Sequence, residues 1–117
     1  MELKSALLGD VPMLEVTGTI DHRTCGPLRT ALQQRLEARH NIVFLDLSNT
    51  ISMDSAGVSV LGAWVQALGG KGWLGVIAPN LDIRRLLEGA ELLGHPNVRV
   101  FETRQAAQVA TGERQST

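Results

Sequence analysis

Few residues in this chain have the type and spacing that chemistry needs, and most of the apparent signatures fail on context. Gly70-Lys71-Gly72-Trp73-Leu74-Gly75 spells the glycine fingerprint of a dinucleotide-binding loop. That fingerprint works when a strand precedes it and a helix follows, because the helix N-terminal amides receive the pyrophosphate. Here a helical pattern precedes it and a strand-like run follows, so a plain loop is predicted. His22, His40 and His95 are scattered without metal-ligand spacing and read as surface or capping residues, so no metal is expected. No serine stands in a nucleophile-elbow sequence. Asp46, at the end of an apolar run, suggests an aspartyl-phosphate receiver. Such a site also wants an acidic pair after the first strand and a late lysine, yet the only lysines are Lys4 and Lys71. Asp46 is therefore read as a polar strand-end residue holding a loop. The expectation is a protein that is not an enzyme and has no cofactor.

One segment remains, Leu45-Asp46-Leu47-Ser48-Asn49-Thr50-Ile51-Ser52-Met53-Asp54-Ser55-Ala56-Gly57-Val58. It joins a buried strand to a helix through what reads as a polar loop. Asp54 and Ser55 stand where an N-cap is expected, since either oxygen can accept from the first unpaired backbone amides. Three residues after each comes Gly57 or Val58, not Glu or Gln, so the reciprocal half of a capping box is missing. Helix amides free to meet solvent or an anion are the expected result. Along the helix, Ser55, Ser59, Gly62 and Gln66 recur at i, i+4, i+7 and i+11, a small and polar stripe opposite Leu61, Trp64 and Leu68. Spacing alone leaves two readings open: a capped helix with an ordinary solvent face, or an exposed serine at the head of a docking surface.

The elements that must position this segment follow from periodicity. Met13 to Thr17 alternates like a strand, with Gly9-Asp10 as a turn before it and Leu3 to Leu8 as its hairpin partner. From Thr24 the period becomes helical: Cys25, Leu28, Leu32 and Leu36 share a face, and Pro27 fits only the first turn. Ile42-Val43-Phe44-Leu45, extended by Leu47, is continuously apolar, as a strand covered on both faces should be. A second helix runs from about Ser55 to Leu68 and ends at Gly69-Gly70. Trp73 to Ala78 is a strand, and Pro79-Asn80 opens a third helix with Ile83, Leu86, Leu87 and Ala90 inward, stopped by Gly94 and Pro96. Arg84, Arg85, Glu88 and Glu91 on that helix read as a solvated face with local ion pairs. Val98 to Phe101 is a last strand, followed by a short helix near Gln105 to Ala110. The alternation predicts an α/β fold: a mixed, largely parallel sheet of four to five strands with about four helices packed on it.

Composition agrees with a single small domain. At 117 residues the chain holds one domain, taken as residues 1–111 with a flexible tail at 112–117. Eleven Lys+Arg against twelve Asp+Glu give a net charge of −1, and the pI is near 6.3. That balance argues against a nucleic-acid binder. The single Cys25 forms no internal disulfide and is expected to pack on the apolar side of the first helix. The beginning of the chain lacks a signal-peptide layout and no apolar run approaches a membrane span, so a cytoplasmic location is expected without membrane insertion.

Two motifs in register then identify a relative. Leu45-Asp46-Leu47-Ser48 with Met53-Asp54-Ser55-Ala56-Gly57-Val58 resembles the signature of STAS domains, particularly the bacterial anti-sigma factor antagonists. Val16-Thr17-Gly18-Thr19-Ile20-Asp21-His22 is similar to that family's first-strand motif, and the element order matches over about residues 2 to 110. The resemblance implies the STAS fold, phosphorylation at Ser55, and a partner-binding surface at Asp21, Asp54 and Ser55, which the adjoining motif and helical stripe are expected to extend through Ala56, Gly57, Ser59 and Gly62. It implies that the unphosphorylated form captures an anti-sigma factor that is also a serine kinase, freeing a sigma factor. Phosphorylation of Ser55 would end the capture, and a metal-dependent phosphatase of the PP2C type would reset it. Two positions depart from the family pattern: Ala56 replaces a frequent second serine, and Ser52 stands where a larger apolar residue is common. Other STAS domains imply an alternative, a subunit of a membrane lipid-transport complex that binds its ATPase.

Overall fold

A computed structural model describes residues 1–38, 41–69, 72–78, 80–89 and 97–115, with side chains described to residue 110. In chain order its elements are β1 (Glu2–Leu8), β2 (Val11–Ile20), α1 (Cys25–Glu37), β3 (Ile42–Met53), α2 (Ser55–Leu68), β4 (Trp73–Ile77), α3 (Leu81–Gly89), β5 (Val98–Phe101) and α4 (Arg104–Gln115). The five strands form one sheet in the order β1-β2-β3-β4-β5. β1 and β2 pair antiparallel, and every later neighbour is parallel. Sequential strands are thus spatial neighbours, each parallel pair joined through a helix, and the predicted mixed α/β sheet is observed.

The hairpin forms where it was expected. Gly9 has φ 63°, a left-handed conformation that a two-residue turn requires and glycine adopts at no steric cost. In α1 the face of Cys25, Leu28 and Leu32 is buried, with Pro27 in the first turn. Leu61, Trp64, Val65 and Leu68 of α2 are buried as their spacing predicts, and Gly69 ends the helix with φ 60°. The indole Nε1–H of Trp64 donates to the Leu32 carbonyl at 2.8 Å, tying α2 to α1.

β3 explains why its sequence is apolar at consecutive positions. Val43, Leu45 and Leu47 enter the larger core with residues of α1, α2 and α3. Ile42 and Phe44 point to the opposite face, into a smaller cluster with Met13, Trp73, Ile77 and Ala107 of α4. Both faces of the central strand are therefore covered. On the smaller side Phe44 meets Trp73 edge to face, ring centroids 5.4 Å apart.

Several expectations need correction. The polar stretch from Ser48 to Met53 is the continuation of β3, not a loop: Thr17, Gly18, Thr19 and Ile20 pair with Asn49, Thr50, Ser52 and Met53. A strand ladder is made by backbone groups, and β2 supplies partners here even though Ser48, Asn49, Ile51 and Ser52 are exposed. Irregularities between Glu15 and Thr17 and between Gly18 and Thr19 absorb the extra residues as bulges. Asp46 consequently lies inside the strand and is 3 % exposed, not at its end. The strand expected from Trp73 is observed as β4 and takes in the second half of the glycine fingerprint, Trp73 to Gly75. A Cβ at Gly75 would stand 2.4 Å from the Phe44 ring and one at Gly72 1.8 Å from the Asn41 carbonyl, so these glycines serve close packing. Helix α4 runs from Arg104 to Gln115, longer than the Gln105 to Ala110 expected and through most of the proposed tail. Arg84 pairs with Glu102 at 3.3 Å, beyond its own helix, so its ion pair is not the local one foreseen. His40, Gly70, Lys71, Pro79, Ala90, Glu91, Gly94, His95 and Pro96 lie outside the described residues. Among the described residues, no helix is long and apolar enough to cross a membrane.

Candidate functional site at the head of α2

The parallel register of β2 and β3 builds this site. It pairs Ile20 with Met53, so the next residues on the two chains, Asp21 and Asp54, leave the same edge of the sheet side by side. The Asp54 amide donates to the Ile20 carbonyl at 3.0 Å, which fixes that juxtaposition. This is the carboxyl edge of the parallel strands, where open α/β sheets carry their binding sites.

Asp54 is the N-cap of α2, with extended backbone at φ −108° and ψ −174°. Its carboxylate Oδ1 accepts from the Ala56 amide at 2.9 Å and the Gly57 amide at 3.4 Å. The expectation of open amides is therefore corrected: the Asp54 side chain already takes two of them, leaving a single cap residue and Ser55 as the first helical residue. Asp21 is engaged in a similar way. Its Oδ1 accepts from the amides of Arg23 and Thr24 at 2.9 and 3.1 Å, and the Asp21 amide in turn donates to Thr24 Oγ1 at 2.9 Å. Donation by the Arg23 amide, helped by Thr24 and by His22 nearby, outweighs slight desolvation and holds the Asp21 carboxyl below the usual carboxylate range.

The predicted partner-surface residues divide by depth. Ser55 and Ser59 are exposed, and Asp21, Asp54, Ala56 and Gly62 are half-buried. Gly57 is buried, and a Cβ there would stand 2.7 Å from Met53 Cγ and 2.8 Å from Ile20 Cγ2. Its place is beneath the surface: hydrogen at this position lets the first turn of α2 settle onto the ends of β2 and β3. Gly62 has open space where a Cβ would be, on the same helical stripe as the exposed Ser55 and Ser59.

Two residues at this site escaped the sequence reading. Ile51 is 73 % exposed although it lies in β3, an apolar side chain near the head of α2. Arg85 of α3 joins Ser55, Val58, Leu86 and Gly89 around a shallow groove of about 300 Å³. Ile51 is passed over by the register between Thr50 and Ser52, so its outward aim comes from a bulge and breaks the alternation that places Val43, Leu45 and Leu47 in the core. Nothing in the sequence signals Arg85, because the α2–α3 groove is purely tertiary. Ser52, the departure noted in the motif, donates from Oγ to Thr19 Oγ1 at 3.3 Å across the two strands.

The other charged cluster lies in the sheet. Asp46 and Glu15 are register partners on β3 and β2, and Arg104 at the start of α4 bridges them. Arg104 Nε donates to Asp46 Oδ2 at 2.7 Å, while Ser48 donates to Oδ1 from its amide at 2.9 Å and from its hydroxyl at 2.5 Å. Burial pushes the Asp46 carboxyl up, but the Ser48 and Arg104 donors together outweigh it and leave it below the usual range. These bonds commit Asp46 to holding α4. Among the described residues, no group of three His, Cys, Asp or Glu is placed to hold a metal ion.

Chemically, the head of α2 offers an exposed primary hydroxyl in an acidic surround, with one arginine across a groove. Solved structures share this architecture. An anti-sigma factor antagonist from Mycobacterium paratuberculosis superposes with a TM-score of 0.83 at 24 % identity, covering 93 % of this chain and 92 % of that one. A putative anti-sigma factor antagonist from Thermotoga maritima gives 0.82 at 20 % identity, covering 92 % of each chain. The Bacillus cell fate determinant SpoIIAA in its phosphorylated form gives 0.71 at 14 % identity, covering 93 % and 99 %. At these identities the likeness is one of fold. No curated protein matches the sequence significantly. A family model described as "Mlab, STAS domain" matches residues 4–98, from β1 through the parallel sheet and the head of α2 into the start of β5. By that match, over most of its length, the chain belongs to the STAS-domain family.

Proposed function

We propose that this protein is an anti-sigma factor antagonist acting in the cytoplasm by partner switching. The observation that carries this reading is the exposed Ser55 hydroxyl at the head of α2, with Asp54 and Asp21 beside it at the carboxyl edge of the sheet. The likeness in fold to anti-sigma factor antagonists supports it, as does the phosphorylated form known for SpoIIAA. In the unphosphorylated state this face captures an anti-sigma factor that is also a serine kinase, and the sigma factor is freed. Ser55 Oγ then bonds to the γ-phosphorus of the kinase's ATP as the bond to the bridging oxygen breaks. ADP leaves with that oxygen, and the hydroxyl proton passes to a base of the kinase. A PP2C-type phosphatase returns the hydroxyl by hydrolysis. The protein itself is the substrate in both steps and not the enzyme.

The phosphate adds about −1.5 to −2 charge to a surface that already carries Asp21 and Asp54. An uncompensated charge in an interface costs on the order of 3–5 kcal/mol. At about 1.4 kcal/mol per decade this weakens binding by roughly two to three and a half orders of magnitude, enough to release the partner.

The test is incubation with the cognate kinase and ATP, read by intact mass and peptide mapping. One phosphate on Ser55 is expected, with Ser55→Ala unmodified and constitutively bound and Ser55→Asp poorly bound. Modification at another residue, or none, overturns the reading. The alternative, a lipid-transport subunit, uses the same fold with an ATPase as partner. Capture from native cells separates the two: a transporter ATPase recovered with the unphosphorylated chain, in place of a sigma regulator, would support it.

A further inference from the structure

A phosphate on Ser55 would stand at the mouth of the groove that Ser55 lines together with Arg85. Two of the first-turn amides are already committed, since Asp54 Oδ1 accepts from Ala56 and Gly57, which leaves the Ser55 amide as the helix's own donor. Asp54 on the same element and Asp21 at the end of β2 add negative charge to the surround. From α3, Arg85 reaches the groove, whose walls include the half-buried Val58 and Leu86, and both Ser55 and Arg85 are exposed there. Among the described residues Arg85 makes no ion pair, whereas its neighbour Arg84 is held by Glu102 at 3.3 Å. A guanidinium presents paired N–H donors to two phosphate oxygens at once, a match a single ammonium lacks.

The geometry points to Arg85 as the internal clamp of the Ser55 phosphate: phosphorylation draws Arg85 across the groove and fills it, so that the modified state closes the surface while part of the added charge is offset. This rests on Ser55 being the acceptor, and it adds a regulatory residue on α3 that the two sequence motifs do not contain. It also assigns Arg84 and Arg85 different tasks, one bracing α3 against the segment after β5, the other serving the switch.

The experiment uses the full chain with phosphoserine installed at position 55 during translation, so that no kinase is needed. Phosphorus NMR then follows the second ionisation of the phosphate at low ionic strength. Arg85 favours the dianion while Asp54 and Asp21 oppose it, so removing Arg85 raises the midpoint. Arg85→Gln is expected to raise it by about 0.5 pH unit over the unsubstituted chain, with Arg85→Lys between them and Arg84→Gln within about 0.1 unit of the unsubstituted chain. The Arg85 Nε–H resonance should move when the phosphate is present. The clamp is overturned if Arg85→Gln titrates with the unsubstituted chain, if Arg84→Gln shifts the midpoint as far, or if the installed phosphoserine unfolds the domain. The Ser55 reading fails by a different result, phosphate mapped to another residue in chain recovered from native cells, so the two failures are distinguishable.

Discussion

At the head of α2 two adjacent side chains carry separate loads. Asp54 satisfies the Ala56 and Gly57 amides, so Asp54→Ala should lower stability by about 1 kcal/mol in urea unfolding, the usual cost of losing an N-cap. The Ser55 hydroxyl is exposed and makes no hydrogen bond among the described residues, so Ser55→Ala should leave stability within about 0.5 kcal/mol while abolishing modification. That pair of outcomes would separate the cap from the switch. Asp46 bears on stability against pH. Its folded value lies below its unfolded one, so its ionised form stabilises the fold at any pH above the ordinary carboxylate value of about 3.9. The contribution is lost as pH falls through the lowered folded value. Asp46→Asn should therefore cost about 1–2 kcal/mol at pH 7, with the gap to the unsubstituted protein starting to close below about pH 4 and vanishing only under the lowered folded value, read from denaturant midpoints across that range.

Among the elements, α2 is set by two glycines with opposite requirements. Gly57 lies against Met53 and Ile20 with no room for a methyl, whereas Gly62 faces open space. Gly57→Ala should destabilise by about 1–3 kcal/mol through overpacking where the helix meets the strand ends. Gly62→Ala should stabilise by about 0.5–1 kcal/mol, the helix-propensity gain at an unhindered site. Urea midpoints moving the same way would show that α2 is seated differently. The helices were legible because burial on one side leaves a 3.6-residue apolar period, seen in Cys25, Leu28 and Leu32 and in Leu61, Trp64 and Leu68. The second half of β3 was not legible. Its residues are polar because their side chains meet solvent, while their backbone pairs with β2, and backbone pairing leaves no trace in hydropathy.

For the whole molecule, the sheet has a thick side under α1, α2 and α3 and a thin side where the described side chains of α4 bury Ala107. Arg104 anchors the start of α4 through Asp46 and Glu15. Arg104→Gln should accelerate amide exchange along α4 while sparing β2 and β3, at a cost of about 1–2 kcal/mol. That is below the full penalty for an unpaired buried charge because Asp46, though buried, keeps the amide and hydroxyl donors of Ser48. Uniform acceleration across the sheet would contradict this division. The Ser55 groove and the Arg104 anchor thus belong to different parts of the fold, the carboxyl edge of the sheet and its thin face.

The sequence by itself determined the element order, the mixed sheet, the buried central strand and the place of Ser55 at a helix start. Each of these is written in local period, cap and turn chemistry or in a motif of adjacent residues. Only the tertiary structure decided which amides Asp54 leaves open, that Gly57 is interior, that Asp46 meets Arg104 fifty-eight positions away, and that Arg85 shares a groove with Ser55. Those facts depend on parallel register and on how helices from distant segments settle on one sheet, and single-chain spacing does not encode distances of that kind.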